Sequence, residues 1–182
     1  MKKGFDDKSW SFLIASPSFS GPVFEESVIL LLEDNEDGSF GIIINKDSEK
    51  TLGELNPDYI GTALDRIEVF EGGPLSADRI SLALCTGENN EEGSFTFGVA
   101  PSKAMEILAK NPDAKICAYM GYSSWTTGQL QREIEEGTWV VSNVDVNMMF
   151  EIPADEIWEE LLLRECPKFE KLEPPASDPE LN

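Results

Sequence analysis

Gly121-Tyr122-Ser123-Ser124-Trp125 fills four positions of the G-x-S-x-G pattern, with Trp125 in place of the closing glycine. In that pattern a serine raised on a sharp strand-to-helix turn becomes a nucleophile. A serine hydroxyl needs a base to take its proton, and this chain contains no histidine. A Ser-His-Asp triad, a Cys-His pair and His-ligated zinc are all excluded. Any general acid or base has to be Asp, Glu, Lys, Tyr or Cys. The other use of the same residues is recognition. Ser123, Ser124 and the first free N–H groups of a following helix can hold an anionic or carbonyl group, with Tyr122 and Trp125 adding aromatic contact. The plainer reading is a turn whose hydroxyls satisfy local backbone groups, with Trp125 and Trp139 filling core.

A second candidate is Gly72-Gly73-Pro74, which permits close backbone approach to a ligand or makes a tight turn. As a phosphate loop it is a weak match, since neither G-x-x-x-x-G-K-[ST] nor G-x-G-x-x-G follows a strand there. Glu71, Asp78 and Arg79 bracket it, and a carboxylate paired with Arg79 is an ordinary ion pair. Asn45 ends an isoleucine run, where its amide closes a turn or meets a ligand. Tyr119 and Tyr122 are proton donors by type and packing residues by habit. The acidic run around Glu33, Asn35 and Asp37 has calcium-loop spacing, but Ile44 stands where the closing carboxylate is required. No metal and no cofactor is expected. The expected cleft lies between the Gly72-Gly73-Pro74 turn and the stretch from Gly121 to Gln129, with Arg79 and Gln129 orienting polar groups.

Composition narrows the partners. The chain of 182 residues is 41% hydrophobic, enough for one domain with a real core. Lys and Arg number 14 against 35 Asp and Glu, a formal net charge of -21. Such an excess repels phosphate backbones and anionic lipid, so direct nucleic-acid binding is disfavoured and a protein partner or small molecule is favoured. Cys85, Cys117 and Cys166 are isolated and odd in number, as expected of free thiols in a reducing cytoplasm. No apolar run reaches membrane-spanning length. Oligomeric state is not legible.

Several elements have to position these residues. Residues 11–16 and 27–33 read as strands, and residues 40–45 follow across an Asp-Gly turn as a hairpin partner. Thr51-Leu52-Gly53-Glu54 has capping-box spacing. Residues 67–70, 79–85 and 94–99 read as strands, the last two joined by a polar loop. Ser102 is placed to cap a helix stopped by Asn111-Pro112. Residues 115–120 form the strand feeding Gly121, and Thr126-x-x-Gln129 opens a helix ended by Gly137. Residues 138–142 and 146–152 read as strands, and Asp155 as the cap of a last helix with Ile157, Trp158, Leu161 and Leu162 on one face. Hairpins with inserted helices indicate an α+β fold.

Three blocks in this order resemble the YqgE/AlgH family. They are Phe12-Leu13-Ile14-Ala15-Ser16-Pro17 through Gly41-Ile42-Ile43-Ile44-Asn45; Val69-Phe70-Glu71-Gly72-Gly73-Pro74-Leu75 with Asp78-Arg79; and Gly121-Tyr122-Ser123-Ser124-Trp125 with Gly128-Gln129-Leu130, Glu133, Trp139 and Phe150. The resemblance implies an α+β domain with a mostly antiparallel, partly closed barrel-like sheet flanked by helices. The blocks cover most of residues 11–165; the domain is read as residues 1–170, and the prolines and acids of 171–182, without a large apolar cluster, as a mobile tail. The resemblance also carries the label of transcriptional regulator, which the charge steers towards a protein partner rather than DNA. Against the family pattern, Asp34 and Leu84-Cys85 stand where histidines are usual, Ser123-Ser124 replaces Ala-Gly, and a C-terminal Gly-His-Ala is missing. The expectation is a non-catalytic binding or regulatory module. The alternative is a His-independent hydrolase or isomerase using Asp, Glu or Tyr.

Overall fold

The computed structural model describes residues 10–86 and 94–167. The polar loop expected at 87–93 and the tail expected at 171–182 lie outside the described residues.

Two stretches of sequence explain the layering. Strand β1 (Trp10–Ala15) and strand β2 (Val28–Asn35) alternate between two apolar environments rather than between core and water. Phe12, Ile14, Val28 and Leu30 enter one buried cluster, while Leu13, Ala15 and Ile29 enter another. Successive strand residues point to opposite faces, so a continuous apolar run demands cover on both sides. The cover is helical. Helix α5 (Ile157–Glu165) seals the first face through Ile157, Trp158, Leu161 and Leu162. Helix α3 (Gln129–Glu135) places Leu130 on the second. Burying each such side chain contributes about 1.5–3 kcal/mol before entropy is counted.

The remaining elements among the described residues are β3 (Gly38–Ile43), β4 (Asp47–Thr51), α1 (Leu52–Leu55), a short 3-10 helix (Pro57–Tyr59), β5 (Glu68–Glu71), β6 (Leu75–Thr86), β7 (Ser94–Val99), α2 (Pro101–Lys110), β8 (Lys115–Thr126), β9 (Trp139–Val144) and α4 (Met148–Glu151). The nine strands among the described residues form one sheet along the path β4-β5-β8-β3-β2-β1-β9, with β6 also on β8 and β7 on β6. Every pairing is antiparallel except β5 with β8. The fold is therefore α+β, with a large, mostly antiparallel sheet flanked by helices. No pairing among the described strands joins the ends of that path, so the sheet is open. A third apolar cluster, with Leu52, Leu64, Val69, Leu82, Ala104 and Ala118, lies under α1 and α2. No helix among the described residues is long and apolar enough to cross a membrane.

Several local expectations are corrected. The segment 146–152, read as a strand, contains α4, because the Asp145 carboxylate accepts the Asn147 N–H at 2.8 Å and turns the chain. Helix α2 is capped at Ala100 with Pro101 at its first position, not at Ser102. Helix α5 begins after Glu156 rather than at Asp155. The polar strand β4 has no apolar alternation to announce it and exists through its pairing with β5.

Candidate functional site

Strand β8 does not stop at Met120. It runs through Gly121-Tyr122-Ser123-Ser124-Trp125 to Thr126, pairing with β5 and β6 in its first half and with β3 in its second. The expected strand-turn-helix junction is thus a continuous strand. What Gly121 absorbs is a bulge. Leu75 pairs with Tyr122 and Ile80 with Met120, so residues 76–79 of β6 loop out opposite it. Its φ of +71° is open to glycine, and a Cβ there would meet the Gly73 carbonyl oxygen at 2.3 Å.

The two glycine segments therefore do lie side by side, but backbone against backbone. The Gly72 N–H donates to the Met120 carbonyl at 2.7 Å, and a Cβ on Gly73 would lie 2.3 Å from the Tyr122 carbonyl. Gly72, Gly73 and Gly121 make a seam with no room for a guest. Asn45 is also committed, its Oδ1 accepting the Val28 N–H at 2.7 Å and its Nδ2 donating to the Glu26 carbonyl at 2.9 Å. Glu71 is exposed beyond the seam. Asp78 and Arg79 sit on the bulge, where Arg79 makes no ion pair among the described residues. Asp78 borders a different groove of about 550 Å³ with Tyr59, Ile80 and Pro101. Tyr122 packs against Phe40 at 5.0 Å between ring centroids.

Beyond the seam there is an open pocket. Pro74, Ser123, Ser124, Trp125 and Gln129 line it together with Leu75, Phe19, Phe24, Glu133, Glu136, Thr138 and Trp139, around about 440 Å³. Five of the thirteen residues selected from sequence thus meet in one concavity.

Its geometry is organised by Glu133, which reaches the pocket from α3. Oε2 accepts the indole N–H of Trp125 and that of Trp139, each at 2.8 Å, and Oε1 accepts from Gln129 Nε2 at 2.9 Å. Gln129 in turn accepts from the Thr126 N–H at 3.1 Å and hydroxyl at 3.2 Å. The pair expected as a capping box is therefore half realised, with Gly128 as the cap residue, and α3, at seven residues, offers no anion site of its own. Glu133 makes no ion pair among the described residues.

Aromatic rings stand around this carboxylate at steep angles. Trp125 and Trp139 meet at 85° with centroids 6.1 Å apart, and Phe24 meets Trp139 at 84° and 5.7 Å. Phe19 closes on Phe24 at 86° and 6.0 Å, and lies at a shallower 34° to Trp139 at 5.6 Å. Trp125 and Trp139 are buried in the second cluster, whereas Phe19 and Phe24 are half-buried partners. Ser123 is only 2% exposed, lines the pocket, and has no hydrogen-bond partner for its hydroxyl among the described residues. Ser124 is exposed at the mouth.

The tyrosine earlier in the strand is sealed off. Tyr119 is fully buried, its hydroxyl has no hydrogen bond of good geometry, and burial pushes its pKa well above the ordinary 10.0, with Cys117 adding to the shift. Cys117 is partly exposed as a residue, but its thiol packs against the core and desolvation raises it to about 11.

Known proteins share this framework. The chain matches the sequence model described as AlgH-like over residues 12–168. It is 32% identical over 166 residues to a UPF0301 protein of Vibrio cholerae, covering 83% of this chain and 88% of that one. A UPF0301 protein of Chlamydia muridarum is 34% identical over 162 residues, covering 84% and 83%. The solution structure of the AlgH protein from Pseudomonas aeruginosa aligns with a TM-score of 0.67 at 28% identity, covering 90% of this chain and 92% of that one. A crystal structure of a Corynebacterium diphtheriae protein gives a TM-score of 0.67 at 23% identity over 85% of each chain, a likeness of fold.

Proposed function

This chain belongs to the AlgH-like family, and we propose that it works as a non-catalytic binding module whose guest enters the pocket walled by Trp125 and Trp139. One observation carries the reading: a single carboxylate, Glu133, fixes both indoles and Gln129, so the wall is set before any guest arrives. A preformed apolar wall with a few placed polar groups is the usual form of a small-ligand site. Binding there costs little reordering, because the wall's rotamers are already locked.

The same bonds argue against turnover. Of the two carboxylates lining the pocket, Glu133 is occupied in holding the wall and Glu136 stands on the exposed side. Tyr119, a proton donor by type, is shut inside the core. A net charge of -21 opposes contact with DNA phosphates, so any regulatory output runs through the occupied pocket to a protein partner.

Crystals soaked separately in phenol and in isopropanol test the site with neutral probes. Density between Trp139, Phe24, Pro74 and Ser124 supports the proposal. Density confined to the groove by Tyr59 and Asp78 overturns it.

A further inference from the structure

Resting on that reading of the pocket, we infer that its guest is a small organic cation, an ammonium or guanidinium group carried on an apolar stem. The lining is chemically one-sided. It contains two carboxylates, Glu133 and Glu136, and no lysine or arginine. Glu133 is satisfied by three neutral N–H donors, which leaves its negative charge without a counter-charge among the described residues. An anionic guest would add like charge beside a half-buried carboxylate, whereas a cation would supply the missing opposite charge.

The aromatic geometry points the same way. A ring face attracts a cation through its quadrupole, most strongly for tryptophan. Trp125 with Trp139, Phe24 with Trp139, and Phe19 with Phe24 meet near right angles, while Phe19 tilts 34° from Trp139, so the rings form corners rather than one flat stack. Phe19 and Phe24, half-buried where they line the pocket, are the rings most open to a compact charged group.

A second, independent feature is the Ser123 hydroxyl. It is buried, borders the pocket and has no partner among the described residues, so its oxygen is free to accept from a guest. Ammonium and guanidinium groups are donors only, and the Ser123 oxygen can accept from either. Gln129, another polar group of the lining, already accepts from Thr126 and donates one N–H to Glu133.

Three probes of similar shape separate charge from bulk: benzylammonium, benzyl alcohol and benzoate, titrated calorimetrically at low and at raised salt. Benzylammonium is expected to bind about tenfold more tightly than benzyl alcohol at low salt, with part of the preference lost at raised salt, and benzoate is expected not to bind. Glu136→Gln should cut the preference for benzylammonium over benzyl alcohol about two- to fivefold. Glu151→Gln, an exposed carboxylate outside the pocket, should leave the preference intact. Equal affinity for the cation and the alcohol, or tighter binding of benzoate, overturns the cation assignment while the pocket itself stands. Loss of preference to the same degree in Glu151→Gln overturns it too, by showing only the field of the whole acidic protein. If none of the three probes binds, the pocket reading falls with it.

Discussion

The indole nitrogens of Trp125 and Trp139 donate to one and the same oxygen, Oε2 of Glu133, each at 2.8 Å. One tryptophan comes from the end of β8 and the other from the start of β9, and α3 between them carries the acceptor. A connection that looks like a simple crossover is thus also the clamp that sets the pocket wall. The clamp ties recognition to stability, because the groups that shape the site also seal the second apolar cluster.

Replacing Glu133 measures that tie. Glutamine has one acceptor oxygen where the carboxylate has two, so at least one of the three donors loses a good partner. Glu133→Gln should cost about 1–3 kcal/mol in urea unfolding, and Glu133→Ala more, because buried donors left unpaired carry their full desolvation cost. Tryptophan emission of the folded protein should shift in both. Unchanged stability in Glu133→Ala would show that the indoles do not depend on it.

The glycine seam gives a paired test. Gly121 and Gly137 have nearly the same φ, +71° and +76°, but a Cβ on Gly121 would meet the Gly73 and Leu75 carbonyl oxygens at 2.3 and 2.7 Å, whereas Gly137 has nothing within 4 Å. Gly137→Ala should cost about 1 kcal/mol, the left-handed penalty alone. Gly121→Ala should cost about 3 kcal/mol or more, or prevent folding, since backbone rather than a flexible side chain must move. Equal costs at the two sites would contradict the seam.

Much of the fold was legible because two-sided apolar runs and turn residues act locally. Phe12 to Ala15 and Val28 to Leu30 demand cover on both faces wherever they sit, and Asp37-Gly38 makes a hairpin of β2 and β3. The family resemblance rested on these same blocks. The site was legible in part, for a physical reason. Ser123, Ser124, Trp125 and Gln129 were visible as chemistry, but a glycine followed by serines reads equally as a turn or as a bulged strand. Only pairing with β3 decides for the strand. Phe19 and Phe24 lie in a turn-rich segment with no period to mark them, and their place depends on β1 pairing with β9. Glu133 did leave a signal, the i,i+4 spacing from Gln129, yet its grip on two distant indoles appears only with the sheet order.

Alkaline titration should report on the other face of β8. Cys117 and Tyr119 are acids whose neutral forms are favoured by folding, so at pH values below about 9 neither makes stability depend on pH. As pH rises from the ordinary thiol value of 9.0 to about 11, the unfolded thiol gives up its proton while the folded one keeps it. Stability should fall through that window by about 1 kcal/mol per pH unit, with Tyr119 adding to the fall above pH 10. Denaturant midpoints across this range should show the slope, and Cys117→Ala should make its lower half shallower, with the Cys85 thiol, also raised by burial, keeping part of it. A flat profile in the unmodified protein would contradict the burial of these groups.

The chain's four tryptophans provide the most direct test of the pocket, because only Trp125 and Trp139 line it, while Trp158 donates its indole N–H to the Ala15 carbonyl at 2.9 Å and Trp10 packs on Phe95. In nitrogen-15-labelled protein titrated with benzyl alcohol, a neutral probe, the indole N–H signals of Trp125 and Trp139 should move together and saturate with one affinity, while those of Trp10 and Trp158 stay in place. Movement of Trp10 or Trp158 with Trp125 and Trp139 unmoved would contradict the account, as would four signals that never respond.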